Sequence, residues 1–355
     1  MREQSSPIAF AVVGYGRIGQ RHASIIRELP DAALCALVDT AADADAVANT
    51  GAKADAAANI GAKAAPAVPF FPSLDALLAS PVASRLDVVN ITTPNGLHAA
   101  QACAAMEAGL NVVIEKPMAL RSVDAERIIR TAERVGKRVF VVMQNRYSDP
   151  ARWLKQLIDS GGLGRIFMVQ MDCYWNRDQR YYTPKGWHGS RELDGGTLFT
   201  QFSHWVDMLY WLFGDITNIS ARLRDFAHQG LTDFEDSGLV SFDFVGGGMG
   251  SLNFSTAVWG KNLESRLTII AENGSVRIGG QYMERVEYCH GKGLTRSQEG
   301  GPGIIPPTPA DGSAAHHRDL LLNVVDVLRG RAECDIRATD GWKVVDIIER
   351  IYKSV

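Results

Sequence analysis

Ile8-Ala9-Phe10-Ala11-Val12-Val13-Gly14-Tyr15-Gly16-Arg17-Ile18-Gly19 is an apolar run that passes directly into a glycine-spaced turn and then into a helical pattern. A short, continuous apolar run of this kind reads as a strand buried on both faces of a parallel sheet. The first glycine of such a turn permits the tight reversal, the second lets a pyrophosphate approach the main chain, and the third lets helix and strand pack closely. The helix opening at Arg17 then presents free N–H groups and the positive end of its dipole to the phosphates. Asp39 closes the next apolar run, twenty residues after Gly19. A carboxylate there accepts hydrogen bonds from ribose hydroxyls and repels a 2′-phosphate. Gly14, Gly16, Arg17, Ile18, Gly19 and Asp39 are therefore expected to bind a dinucleotide, NAD in preference to NADP.

Outward from this turn, Ala33–Asp39, Asp87–Thr92, Asn111–Glu115 and Arg138–Met143 read as further buried strands. Arg17–Leu29, Leu97–Ala108 and Ser122–Val135 read as the helices between them. Strand and helix in alternation imply a parallel sheet with right-handed crossovers. Residues 41–68 are alanine-rich and broken by Gly51, Gly61 and Pro66, as in a variable crossover. After Asn145 the pattern changes to a helix at Pro150–Ser160 and strands at Ile166–Tyr174, Ile219–Phe226, Gly238–Phe244, Gly250–Val258, Ser265–Ala271 and Ser275–Ile278. Several alternate apolar and polar residues, which suits an open sheet covered on one face. Residues 300–309 form a Gly/Pro loop. The spacing of Leu320, Val324, Val325 and Leu328, then of Val344, Val345, Ile348 and Ile351, predicts two closing helices. The fold class is thus an α/β Rossmann domain over residues 1–144, followed by an α+β domain over 145–355 with an open, mainly antiparallel sheet for substrate binding and oligomerisation.

Composition removes several alternatives. In 355 residues the net charge is −3, with Lys and Arg dispersed, so neither a nucleic-acid surface nor a polybasic membrane patch is expected. Met1–Pro7 lacks the apolar core of a secretory signal, and the longest apolar runs are strand-length. Five cysteines stand singly, an odd count that fits reduced thiols in a cytoplasmic protein. His316-His317 lacks metal-ligand spacing and reads as a solvated helix start. No metal is expected.

Two further segments fall at C-terminal strand ends, where open α/β sheets place ligands. Thr92-Thr93-Pro94-Asn95 with His98 follows the third of these strands, and Glu115-Lys116-Pro117 follows the next. Together with the glycine turn, they resemble the glucose-fructose oxidoreductase/inositol dehydrogenase (GFO/IDH/MocA) family in order and context. The likeness extends through Arg152–Ile166 and the His204 segment. It implies that Lys116 lies beside the nicotinamide C4 and the substrate hydroxyl. An ammonium in that place stabilises developing alkoxide character. The resemblance also implies Thr93, Asn95, His98 and Glu115 as cofactor-side residues and His204 as general base or acid, a role suited to an imidazole. The helix after Asp194-Gly195-Gly196 is expected to run unbroken to Phe213, with Thr200, His204, Asp207 and Trp211 on one face.

The family's polyol dehydrogenases usually carry aspartate four residues before that histidine; this chain has Thr200-Gln201. Residues 174–188 form a run rich in aromatic and cationic side chains. The run from Tyr174 to His204 resembles the UDP-N-acetylglucosaminuronate 3-dehydrogenases of bacterial surface-polysaccharide synthesis, including Thr200-Gln201. This resemblance implies NAD-dependent oxidation of a sugar-nucleotide 3-hydroxyl, with Arg146, Tyr174, Thr200, Gln201 and His204 contacting substrate and Trp187 contacting cofactor. A free-sugar or inositol dehydrogenase and a non-catalytic NAD-binding regulator are the competing readings. A homo-oligomer, dimer or tetramer, is expected through the open sheet.

Overall fold

The computed structural model describes residues 6–40, 68–182, 186–292 and 316–355. Residues 1–5, the alanine-rich segment up to Ala67, Lys185 and the Gly/Pro loop lie outside the described residues.

The first sheet contains β1 (Ile8–Val13), β2 (Ala32–Val38), β3 (Phe70–Phe71), β4 (Val88–Ile91), β5 (Asn111–Ile114) and β6 (Val139–Val141), in the order β3-β2-β1-β4-β5-β6. All the pairings are parallel. The strand order reverses between β1 and β4, and a ligand crevice opens at the carboxyl ends on either side of that reversal. The helices Arg17–Glu28, His98–Glu107 and Ser122–Val135 cross between strands as the apolar spacing predicts. Strand β3, only two residues long, carries too little periodicity to be legible.

The second sheet is built from β7 (Ile166–Tyr174), β8 (Ile216–Arg224), β9 (Ser237–Phe244), β10 (Met249–Ser255), β11 (Glu264–Ala271), β12 (Gly274–Gly279) and β13 (Arg285–Gly291), in the order β13-β12-β11-β7-β10-β9-β8. Only β7 and β10 run parallel. Strand β8 begins three residues before the expected Ile219, because a register shift between Thr217 and Ser220, with Asn218 at φ 50°, interrupts its alternation. One face packs against the core through Val169, Met171, Val240, Phe242, Leu252, Phe254, Leu267 and Ile269. The other leaves Met168, Leu239, Met249 and Tyr288 exposed.

Two differences from the sequence reading bear on the site. The helix expected to run to Phe213 is broken into Thr197–Thr200 and Ser203–Phe213, so Thr200 and His204 do not share one continuous helical face. The Thr200 carbonyl accepts from the Lys116 ammonium at 2.6 Å, and its hydroxyl turns back to Asp194. The closing helices, His317–Leu328 and Ala338–Lys353, return to the first sheet. His317–Leu328 packs on Arg17–Glu28, and Ala338–Lys353 packs on Ser122–Val135 and β6 as well as Ser203–Phe213. Gly341 makes the last approach close: a Cβ there would lie 2.8 Å from a Val141 methyl.

Candidate active site

The three glycines of the first turn have separate tasks in the structure. Gly14 has φ 91°, and a side chain there would meet the Thr92 main chain at 2.8 Å. A Cβ on Gly19 would come 2.0 Å from the Gly14 carbonyl oxygen. Gly16 faces open space, and with Arg17 and Ile18 it lines a cavity of about 400 Å³ between the sheets. This is a main-chain cradle of the shape a pyrophosphate needs, so the residues present fit a dinucleotide. Asp39 accepts from the Tyr15 N–H at 2.7 Å, which fixes the carboxylate beside the turn.

Thr93, Asn95, Glu115, Lys116, Trp187, Thr200, Gln201 and His204 line the same cavity. Asn95 crosses it, donating its amide to the Asp194 carbonyl at 2.9 Å and to Thr200 Oγ1 at 2.7 Å. Behind Thr200, Asp194 is buried and hydrogen-bonded to the threonine hydroxyl. A carboxylate six residues upstream thus stands behind the position where polyol dehydrogenases carry their aspartate. Burial lowers the Lys116 pKa, opposed by the negative charges of Glu115 and Asp194.

Glu115 is a buried carboxylate held by imidazoles. His22 Nε2 lies 3.0 Å from its Oε1 and His317 Nε2 lies 3.5 Å from the same atom. The Lys116 N–H donates to Oε2 at 3.2 Å. Burial opposes ionisation here, yet the hydrogen bonds from His22 and His317 hold the carboxyl well below its usual range. Donor atoms of the three side chains lie within 4.8 Å of one another. Asn90 Nδ2 donates to His22 Nδ1 at 3.0 Å, so the His22 hydrogen sits on Nε2 and points at Glu115. The arrangement is a hydrogen-bonded triad. His317 is accordingly buried, not the solvated helix start expected from sequence.

Three other expected contacts lie elsewhere. Arg146 is 6 % exposed, bound to Asp207 through Nε and Nη2 and to Asp340 at 3.2 Å. It faces a separate cavity with Tyr147, Arg152 and Trp211, so it is not a cleft cation. Tyr174 donates its hydroxyl to Asp172 at 3.3 Å and lines a groove with Leu239 and Phe226, away from Lys116. His98 is fully buried, its ring nitrogens 2.8 and 2.9 Å from the Pro117 and Thr93 carbonyls. It ties the two strand-end turns together beneath the cavity.

Among the described cations of the 174–188 run, Arg177 is the one that lines the cavity. Its Nε donates to Gln201 Oε1 at 2.7 Å, and its guanidinium lies over Trp175 and Tyr181, 4.9 and 5.1 Å from the ring centroids. Gln201 in turn donates to the Tyr181 hydroxyl at 2.8 Å. Trp187 packs against His188 at an interplanar angle of 36°, with centroids 3.8 Å apart, completing an aromatic-cationic rim. Sequence reading reached this rim as a run but could not choose among its cations. It missed Gln144, which belongs to no local motif and lies 3.1 Å from His204 Nε2, and it read Asp194-Gly195-Gly196 only as the entry to a helix.

Comparisons with known proteins agree with this geometry. The oxidoreductase family with an NAD-binding Rossmann fold, GFO/IDH/MocA, matches residues 8–143, and the GFO/IDH/MocA C-terminal domain matches 151–277. The structure of the WlbA dehydrogenase from Bordetella pertussis in complex with NADH and UDP-GlcNAcA is 32% identical, with TM-score 0.82, over 98% of this chain and 96% of that one. The corresponding WlbA dehydrogenase from Chromobacterium violaceum, also with NADH and UDP-GlcNAcA, is 31% identical, with TM-score 0.84, over 100% and 94%. Inositol 2-dehydrogenase of Streptomyces avermitilis is 32% identical over 58% of this chain and 59% of its own length. A cyclohexadiene-diol dehydrogenase of Comamonas testosteroni is 32% identical over 50% and 44%, so the chain spans about half the length of these curated relatives. A glycine cradle at the first strand end, an ammonium at the fifth and a mixed sheet closing over both, matched by two family profiles, place the chain in the GFO/IDH/MocA oxidoreductase family.

Proposed function

We propose that this protein is an NAD-dependent dehydrogenase that oxidises the 3-hydroxyl of UDP-N-acetylglucosaminuronic acid to a 3-keto sugar nucleotide. One observation carries the reading: Lys116, His204 and Arg177 share a single cavity with the glycine cradle. Likeness to the two WlbA dehydrogenases supports the substrate, and Asp39 favours NAD over NADP.

NAD, when bound, supplies the hydride acceptor. Burial, and next the Lys116 charge, push the His204 pKa well below its ordinary value, so the imidazole is neutral and able to take the hydroxyl proton. Lys116 places a positive charge where alkoxide character develops. Arg177 offers a uronate or phosphate a guanidinium already oriented by Gln201 and two aromatic faces. Trp187 and Tyr181 supply ring surfaces for the sugar or base.

The test is an absorbance assay with NAD across UDP-N-acetylglucosaminuronate, UDP-N-acetylglucosamine, myo-inositol and glucose. The uronate is expected first, at least about tenfold ahead of UDP-N-acetylglucosamine in kcat/KM, since one charge-assisted contact contributes roughly 1.5–3 kcal/mol. Arg177→Gln should erase most of that ratio. Activity on free polyols and none on UDP-sugars would overturn the substrate and favour the inositol dehydrogenases.

The reaction belongs, on this reading, to surface-polysaccharide (lipopolysaccharide) synthesis in the cytoplasm, where the five cysteine thiols stay reduced. Among the described residues no helix is long and apolar enough to cross a membrane. The exposed apolar face of the second sheet would bury itself in a homodimer or tetramer. Sedimentation of a fully active monomer would refute that assembly.

A further inference from the structure

His204 stands on the first turn of the helix Ser203–Phe213, and its base chemistry depends on which ring nitrogen carries the hydrogen. Gln144 Nε2 lies 3.1 Å from His204 Nε2. Both side chains are buried and both line the active cavity. His204 Nδ1 is sealed from solvent with no hydrogen-bond partner, and Gln144 Oε1 is likewise buried and unpartnered. Nδ1 therefore cannot reach a substrate, which leaves Nε2 as the nitrogen able to meet one.

We infer that Gln144 is a positioning residue that keeps His204 in the Nδ1–H form, with the Nε2 lone pair held for the substrate hydroxyl. An amide N–H pointed at Nε2 can be satisfied only by that lone pair, so it disfavours the Nε2–H tautomer and the imidazolium alike. The incoming hydroxyl takes over the place of the amide N–H. Its O–H bond then breaks toward Nε2 as the C–H hydride leaves for NAD, giving ketone, NADH and imidazolium.

The fold supplies what such a device needs, a fixed amide. Gln144 opens the short turn Gln144–Tyr147 after β6. Two residues on, Arg146 grips Asp207, which is three residues beyond His204 on the same helix. The buried ion pair clamps the turn to the helix, so Gln144 and His204 cannot drift apart independently. This gives Arg146 a role it lacks as a substrate contact. The other charged groups acting on His204 are Lys116 and Glu115 at the end of β5 and His317 from the first closing helix. Lys116 and His317 oppose the imidazolium, whereas Glu115 favours it.

The inference rests on His204 being the base, and the experiment separates the two. Imidazole ¹⁵N shifts of the histidine-labelled protein, with His204 identified by its loss in His204→Asn, report the tautomer without any substrate. The wild type is expected to show Nδ1–H. In Gln144→Glu a carboxylate accepts from Nε2–H and stabilises the imidazolium, so the acid limb of the kcat/KM profile should move up by about one pH unit or more. Gln144→Met keeps the volume but removes the donor; the limb should move up less, with kcat reduced more than KM is changed. An Nε2–H tautomer in the wild type, or an unmoved limb in Gln144→Glu while His204→Asn loses it, overturns the Gln144 role and leaves the base in place. A limb that persists in His204→Asn overturns the base, and the Gln144 role with it.

Discussion

The two walls of the cavity are made of different material. On the cofactor side Gly16 bares main chain to the cavity, Gly14 and Gly19 let the turn close behind it, and Asp39 is pinned by a backbone N–H. On the sugar side it is side chain on side chain, with Arg177 resting on Gln201, Trp175 and Tyr181. A ligand part common to many enzymes is held by groups every residue owns. On the proposed function, the part that differs between substrates would meet side chains that substitution can change one at a time. On that reading, specificity can be altered without touching the cradle.

Several substitutions would break or sharpen that contrast. The largest effect is expected from Arg146→Met. Leaving Asp207 buried without its partner should cost about 3–5 kcal/mol in denaturant unfolding. The ratio of kcat/KM between uronate and neutral UDP-sugar should nevertheless stay within about twofold. A collapsed ratio would return Arg146 to the substrate wall. Lys116→Met acts where the walls meet. Steady-state kinetics should show kcat down by about 10²–10³, with NAD affinity by fluorescence titration largely unchanged. A variant turning over near the wild-type rate would remove Lys116 from the chemistry. The smallest effect separates two glycines of one turn. Gly16→Ala has a compatible φ of −69° and open space. It should leave Tm within a degree or two and weaken NAD about tenfold, because a methyl holds the pyrophosphate off the main chain. Gly19→Ala must displace the Gly14 carbonyl and should lower Tm as well. Equal Tm values for the two would deny the glycines their separate tasks.

The same contrast decides what could be read from sequence. Gly14–Gly19 with β1 and Asp39 form a local device, so strand, turn, helix and cofactor class were all legible. Lys116 and His204 were reached through motifs at strand and helix ends. Arg146 was misread because its partners Asp207 and Asp340 lie 61 and 194 residues away, and nothing local marks a guanidinium as already neutralised. His317 failed for the same reason: its partner Glu115 is about two hundred residues upstream. The break at Gln201 was hidden because the Thr200 carbonyl is claimed by a lysine 84 residues away in sequence. Tertiary partners, not propensity, set each of these outcomes.

The closing helices carry a consequence for biosynthesis. A ribosome delivers β1 to β6 long before the helices His317–Leu328 and Ala338–Lys353 that cover them. Until those arrive, Met118 and Val141, which pack at Gly341, face solvent, and Glu115 lacks the His317 imidazole. In that interval the first sheet would expose apolar surface of the kind that chaperones shield. Synthesis arrested before Ala338 should yield a chain that holds its whole glycine cradle yet is prone to aggregate.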